Sequence, residues 1–282
     1  MLRAITSRLK QMFLGRTPSE ADREAWQRAR AVIKKNKLFY SLAKKGINFI
    51  AFFDSSIVTY WYAVLRDKPY FGGYLAARQN QFLRIRVLLE YVEDRLKRGD
   101  DIKILEVGSW AGQSAVMLAS LCKKYKSGKV FCIDTWEGAG NIAAYKKRAQ
   151  GEKIMKLFLR NVRASGAGQY IVPMRGRSDS FYDVLKSESF DAIYIDGDHS
   201  YDGVVSDIKG LRDKVKKGGM LCGDDYDCEP GEIDAKYAMA HKEKDYIPDP
   251  TSGKWYHPGV VLGVRDTIGK VNKSDVLWWV IR

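Results

Sequence analysis

The sequence predicts an α/β protein built on a doubly wound, mostly parallel sheet with an N-terminal helical extension. Three observations carry this. Apolar runs of strand length alternate with amphipathic stretches of helix length from about residue 80 onward. Several of those runs stop on an acid, and the first turns through glycines directly into a helix. Ile102, Ile104, Leu105 and Val107 read as a buried parallel strand, Gly108 and Gly112 allow backbone to approach a ligand, and Ser114 to Leu121 is helix-compatible.

The length of 282 residues suits one average domain with a sizeable extension, and we divide the chain at 1–79 and 80–282. The net charge is +14, of which Met1–Lys45 alone holds +9, so the basicity belongs mainly to the N-terminal arm. Such an arm suits an anionic surface, or serves only as a solvated face. Nucleic acid is disfavoured, because few aromatics interleave with the basic residues as stacking platforms. Four cysteines without C-x-x-C spacing argue for a reducing compartment, and no secretory signal is visible.

Met1–Gly15 spaces Leu2, Ile5, Leu9, Met12 and Phe13 as a short basic amphipathic helix, and Thr17-Pro18-Ser19-Glu20 looks like a fresh helix start. Ile47–Leu65 is the most apolar stretch. Asp54 in its middle would cost about 2.5–3.5 kcal/mol in a bilayer, which argues against a spanning helix and leaves an oligomer interface, a packing helix or an interfacial segment. Gln79–Lys97 has helical period and should pack across the first strand.

The turn after that strand reads Glu106-x-Gly108-x-x-x-Gly112, which is neither a dinucleotide fingerprint nor a P-loop. Glu106 would repel a pyrophosphate and suits a ligand that carries a cation. A second strand ends at Asp134, 26 residues past Gly108, where a carboxylate can accept hydrogen bonds from the ribose of an adenosine ligand. Thr135 and Trp136 follow, and Trp136 either stacks on the ligand or covers the pocket. Asn141–Arg163 passes from loop to helix, Tyr170–Met174 is a third strand, and the turn at Ser178 borders the adenine. A fourth strand runs to Asp196, a helix spans about Gly203–Lys216, and a fifth strand leads from Gly218 to Asp224-Asp225-Tyr226. Cys228–Tyr256 shows no clean period and reads as a lid or insertion; a helix starts at His257-Pro258-Gly259, and Val276–Ile281 closes the sheet.

Asp196, Asp198, His199, Asp224 and Asp225 lie beyond the ends of the fourth and fifth strands, where open α/β sheets bind ligands. Convergent carboxylates need something positive among them, and three aspartates suit Mg²⁺. The plain alternative is that they cap helices.

Glu106-x-Gly-x-x-x-Gly112, Asp134-Thr-Trp, Ile195-Asp-Gly-Asp-His-Ser-Tyr201 and Gly218-Gly to Asp224-Asp-Tyr226 occur in one order. Over about residues 80–282 the chain resembles the class I, Rossmann-like, S-adenosylmethionine-dependent methyltransferases. Within these it is similar to the Mg²⁺-dependent sugar O-methyltransferases of macrocin, novobiocin and mycinamicin type and to the cephalosporin-hydroxylase-like group. The resemblance implies S-adenosylmethionine at Glu106, Gly108, Ser109, Gly112, Ser114, Asp134, Thr135, Trp136, Ser178 and Asp196. It implies Mg²⁺ at Asp196, Asp224 and Asp225, a sugar or glycan hydroxyl as acceptor, and a base at Asp198 or His199. Two other readings stay open: a metal-independent methyltransferase, and a non-catalytic module for RNA or anionic surfaces. The expected place is the cytoplasm, with the N-terminal region peripheral to a membrane, and a homo-oligomer is compatible with the apolar stretch.

Overall fold

The computed structural model describes residues 55–71, 81–138 and 143–282. The chain divides into two compact units, Met1–Tyr74 and Leu75–Arg282. In the first, helix α1 (Ser55–Leu65) takes the second half of the apolar stretch. No helix among the described residues is long and apolar enough to cross a membrane. The expected helices at Met1–Gly15 and from Thr17 lie outside the described residues.

In the second unit the run expected as one helix is two, α2 (Gln81–Arg84) and α3 (Arg86–Lys97), broken at Ile85. Ile85 is fully buried, and the break lets it enter the core while Arg84 reaches Asp224. Leu88, Val92 and Leu96 form the buried stripe of α3, at the spacing a helix requires.

The alternation then unfolds as β1 (Lys103–Val107), α4 (Gln113–Tyr125), β2 (Lys129–Asp134), α5 (Ala143–Ala149), α6 (Lys153–Ser165), β3 (Ile171–Arg175), β4 (Phe190–Ile195), α7 (Tyr201–Leu211) and β5 (Val215–Gly223). The segment after β5 contains α8 (Ala235–Ala240) and a small hairpin of β6 (Ile247–Pro248) and β7 (Trp255–Tyr256). Helix α9 (Pro258–Thr267), β8 (Asn272–Ser274) and β9 (Leu277–Ile281) complete the chain described. The elements of the 228–256 segment are too short to impress a period on the sequence, which is why it reads as irregular.

Strand order is β3-β2-β1-β4-β5-β9-β8. The pairs from β3 to β5 are parallel, and β9 runs antiparallel to both β5 and β8. Leu105 stands opposite Phe131 on one side and Ile193 on the other. All six residues of β4 are buried, as expected of a strand covered on both faces. The order reverses between β1 and β4, and this switch point opens a crevice beyond their carboxyl ends.

Candidate active site

A cavity of about 780 Å³ occupies that crevice, a size suited to a cofactor-sized ligand. Gly108, Ser109, Ser114, Asp134, Thr135, Ser178, Asp196, Asp198, His199 and Asp225 line it. The turn after β1 has no room to change: Gly108 has φ +88°, and a Cβ there would overlap the Asp196 carbonyl. Gly112 starts α4 at φ +83°, where a Cβ would sit 2.8 Å from the Phe158 ring.

The same turn is held from three sides. Asp134 accepts the backbone N–H groups of Trp110 at 2.7 Å and Trp136 at 2.5 Å. The Trp136 indole donates to the Trp110 carbonyl at 2.9 Å, and Asn161 donates to the Ala111 carbonyl at 2.9 Å. Asp134 thus shapes the cavity wall, and since a carboxylate has about four acceptor positions it retains capacity for a ligand.

Four residues expected at ligands stand elsewhere. Glu106 is fully buried beneath the turn, with Ser109 Oγ donating to its Oε2, and does not line the cavity. Burial pushes its carboxyl up to about 7, against hydrogen bonding from Ser109, Ser114 and Cys132. Trp136 is 1% exposed and packs on Phe158 with ring centroids 4.8 Å apart, so it is a core residue and not a stacking platform. Gly112 serves the helix start. Asp224, expected as a metal ligand, also lies off the cavity.

Arg84 explains Asp224. Its guanidinium Nε lies 3.2 and 3.0 Å from the two Asp224 oxygens, and Nη2 donates to Asp225 Oδ1. Asp224 also accepts the Asp225 backbone N–H at 2.9 Å and the Tyr194 hydroxyl at 3.0 Å. Burial alone would lower the Arg84 pKa, but Asp224 and Asp225 outweigh it and hold the guanidinium firmly charged. Among the three aspartates the positive charge is therefore supplied by the chain. Oxygen ligands of Asp196, Asp224 and Asp225 do lie within 4.8 Å of one another, the right donors for Mg²⁺. With both Asp224 oxygens committed, however, the set does not fit that ion as it stands.

His199 faces the cluster from the other side, with Nε2 3.2 Å from Asp225 Oδ2 and 3.6 Å from Asp196 Oδ1. Burial opposes its charge, but Asp225, Asp196 and Asp245 outweigh burial and raise its pKa well above the ordinary value. Asp196 is pushed up to about 7 by burial and by the charge of Asp224. Asp225 is pulled down, because His199, His257 and Arg84 together outweigh its burial. Asp198 is exposed, and its Oδ1 accepts the Ser200 N–H at 3.0 Å. Arg84, Asp227, Asp245 and His257 escaped the sequence reading of the site. Arg84 is one charge among many on a helical face; His257 could have been marked by rarity, since the chain holds only three histidines.

Residues 105–226 match the family model described as "Methyltransferase domain", from the middle of β1 to just past Asp225. The chain carries an S-adenosylmethionine-dependent methyltransferase domain. The match spans the turn, Asp134 and the acidic cluster of this methyltransferase, and so covers the cavity from end to end. No curated protein matches the methyltransferase in sequence. Among solved structures it is similar to the O-methyltransferase NovP, at 16% identity over 71% of this chain and 79% of that one, TM-score 0.47. A TDP-rhamnose 3'-O-methyltransferase of calicheamicin biosynthesis gives 16% identity over 71% and 82%, TM-score 0.40. An O-methyltransferase family protein from Burkholderia thailandensis gives 11% over 70% and 56%, TM-score 0.42.

Proposed function

We propose that this methyltransferase transfers a methyl group from S-adenosylmethionine to a hydroxyl of a sugar, a glycan or a glycosylated small molecule. One observation carries the reading: a single cavity runs from the Gly108 turn and Asp134 to the cluster of Asp196, His199 and Asp225. A cofactor seat is thereby continuous with proton-accepting groups. In the transfer the methyl C–S bond breaks as the C–O bond forms, S-adenosylhomocysteine departs, and the hydroxyl proton passes to the cluster. Holding sulfonium and hydroxyl in line accounts for much of the acceleration. His199 lies inside the cluster as a charged group and Asp198 outside it with one oxygen occupied, so we give the proton to Asp196, which lines the cavity beside His199.

The Mg²⁺ implied by the resemblance would need Asp224, whose oxygens Arg84, Tyr194 and backbone already engage. We further propose that Met1–Lys45, with its +9 charge, brings the enzyme to an anionic or membrane-associated acceptor. Incubation with methyl-labelled S-adenosylmethionine and a panel of sugar nucleotides, glycans and glycolipid extracts tests the main reading. Label should enter an alkali-stable ether on the acceptor. Failure of the protein to bind S-adenosylmethionine by calorimetry, or label found only on nitrogen, would reject it.

A further inference from the structure

Two of the three histidines in the chain meet at one carboxylate, and each is held from behind. His199, just after β4, has Nδ1 2.8 Å from Asp245 Oδ1. His257, the residue before α9, has Nδ1 2.8 Å from Asp227 Oδ2, which also accepts the His257 backbone N–H at 3.0 Å. The opposite nitrogens converge: Nε2 of His199 and of His257 lie 3.2 and 3.8 Å from the same atom, Asp225 Oδ2. The rings meet edge to face at 4.9 Å, and ligand atoms of the three residues all lie within 4.8 Å of one another. Asp225 is fixed in turn, at φ +60° with its Oδ1 bound by Arg84.

A carboxylate on Nδ1 fixes the tautomer and the ring plane and leaves Nε2 as the donor atom, the arrangement that supports metal-ligating histidines. Two imidazole nitrogens and one carboxylate oxygen within 4.8 Å of one another match the preference of first-row transition cations and not that of Mg²⁺. We propose that His199 Nε2, His257 Nε2 and Asp225 Oδ2 form a two-histidine, one-carboxylate site for a divalent transition cation such as Mn²⁺, Fe²⁺, Co²⁺ or Zn²⁺. Arg84 holds the other oxygen of Asp225, so the cation and the guanidinium coexist. Because His199 and Asp225 line the cavity, the open positions face the space where an acceptor oxygen would enter. That last role rests on the methyl-transfer reading; the metal site itself does not.

The test uses the full chain without an affinity tag, titrated with Co²⁺ and followed by its visible d–d absorption. One equivalent should bind, and a large excess of Mg²⁺ should leave the spectrum unchanged. His257→Ala should abolish the bands. Asp227→Asn, which leaves all three ligands in place, should weaken Co²⁺ binding about 10–100-fold. Circular dichroism and S-adenosylmethionine calorimetry on each variant separate loss of the metal from loss of the fold, and they test the cofactor reading apart from this one. Unchanged Co²⁺ binding in folded His257→Ala, or ready displacement by Mg²⁺, overturns the proposal. So does a site lost in folded Asp224→Asn but kept in both histidine-side variants.

Discussion

Replacing Glu106 by Gln should flatten the pH dependence of stability. The Glu106 carboxyl is fully buried at the end of β1, and among the described residues no hydrogen bond of ordinary geometry reaches its Oε1. Burial moves its pKa from 4.5 to about 7 in the folded state. Between those values the folded chain holds a proton that the unfolded chain releases, so stability from this group is present below about 4.5 and lost as pH rises through 7. At 1.36 kcal/mol per pH unit, the gap is worth about 3 kcal/mol. Glutamine keeps the shape and cannot ionise, so the stability difference between parent and Glu106→Gln should swing by about 3 kcal/mol towards the variant from pH 4.5 to pH 8. Urea unfolding followed by tryptophan fluorescence at three or four pH values gives both curves. Parallel curves would show that Glu106 does not titrate in this window and that its burial is wrongly described.

Asp134→Ala should weaken S-adenosylmethionine binding by about 1.5–3 kcal/mol, the scale for a hydrogen bond to a charged group, with Asp134→Asn intermediate; unchanged affinity by calorimetry in a folded variant removes Asp134 from the site. Arg84→Ala leaves buried Asp224 without its guanidinium, while Asp225 still faces His199, and should cost about 3–5 kcal/mol at pH 8, less in acid, where Asp224, already raised by burial and Asp225, can take up a proton; a loss under about 1 kcal/mol by urea unfolding would dissolve the ion pair. The basic N-terminal arm should make sedimentation with anionic liposomes fall steeply with salt, at about 1 kcal/mol per basic residue near the surface; equal recovery with neutral and anionic vesicles rejects peripheral contact.

The sheet was legible because parallel strands buried on both faces leave unbroken apolar runs such as Phe190–Ile195, and because Gly108 marks the turn after β1, where a Cβ has no room. The cavity-lining residues at strand ends follow from the same topology: Asp134, Asp196, His199 and Asp225 are read from where strands stop. What local spacing cannot express is commitment. Glu106 and Asp224 sit at positions where a ligand-facing acid is expected, yet one is sealed below the turn and the other is taken by a guanidinium 140 residues away in the chain. Trp136 sits beside the ribose-type acid, but its size and the adjacent Phe158 draw it into the core. Asp245 comes from a segment whose elements are two to six residues long and His257 directly follows it, and only tertiary structure brings them to His199.

The position of β9 has a consequence for biosynthesis. Strand β5, with Met220, Leu221 and Cys222 buried, pairs with β4 on one side and on the other with β9, whose partners run from Trp278 to Ile281. While the ribosome adds the residues between Gly223 and Leu277, β5 has a partner on one side only, and its free N–H and C=O groups could recruit another nascent chain. A chain cut before Leu277 would therefore be expected to accumulate as insoluble material and not as a slightly shortened enzyme, even though every cavity-lining side chain precedes the cut.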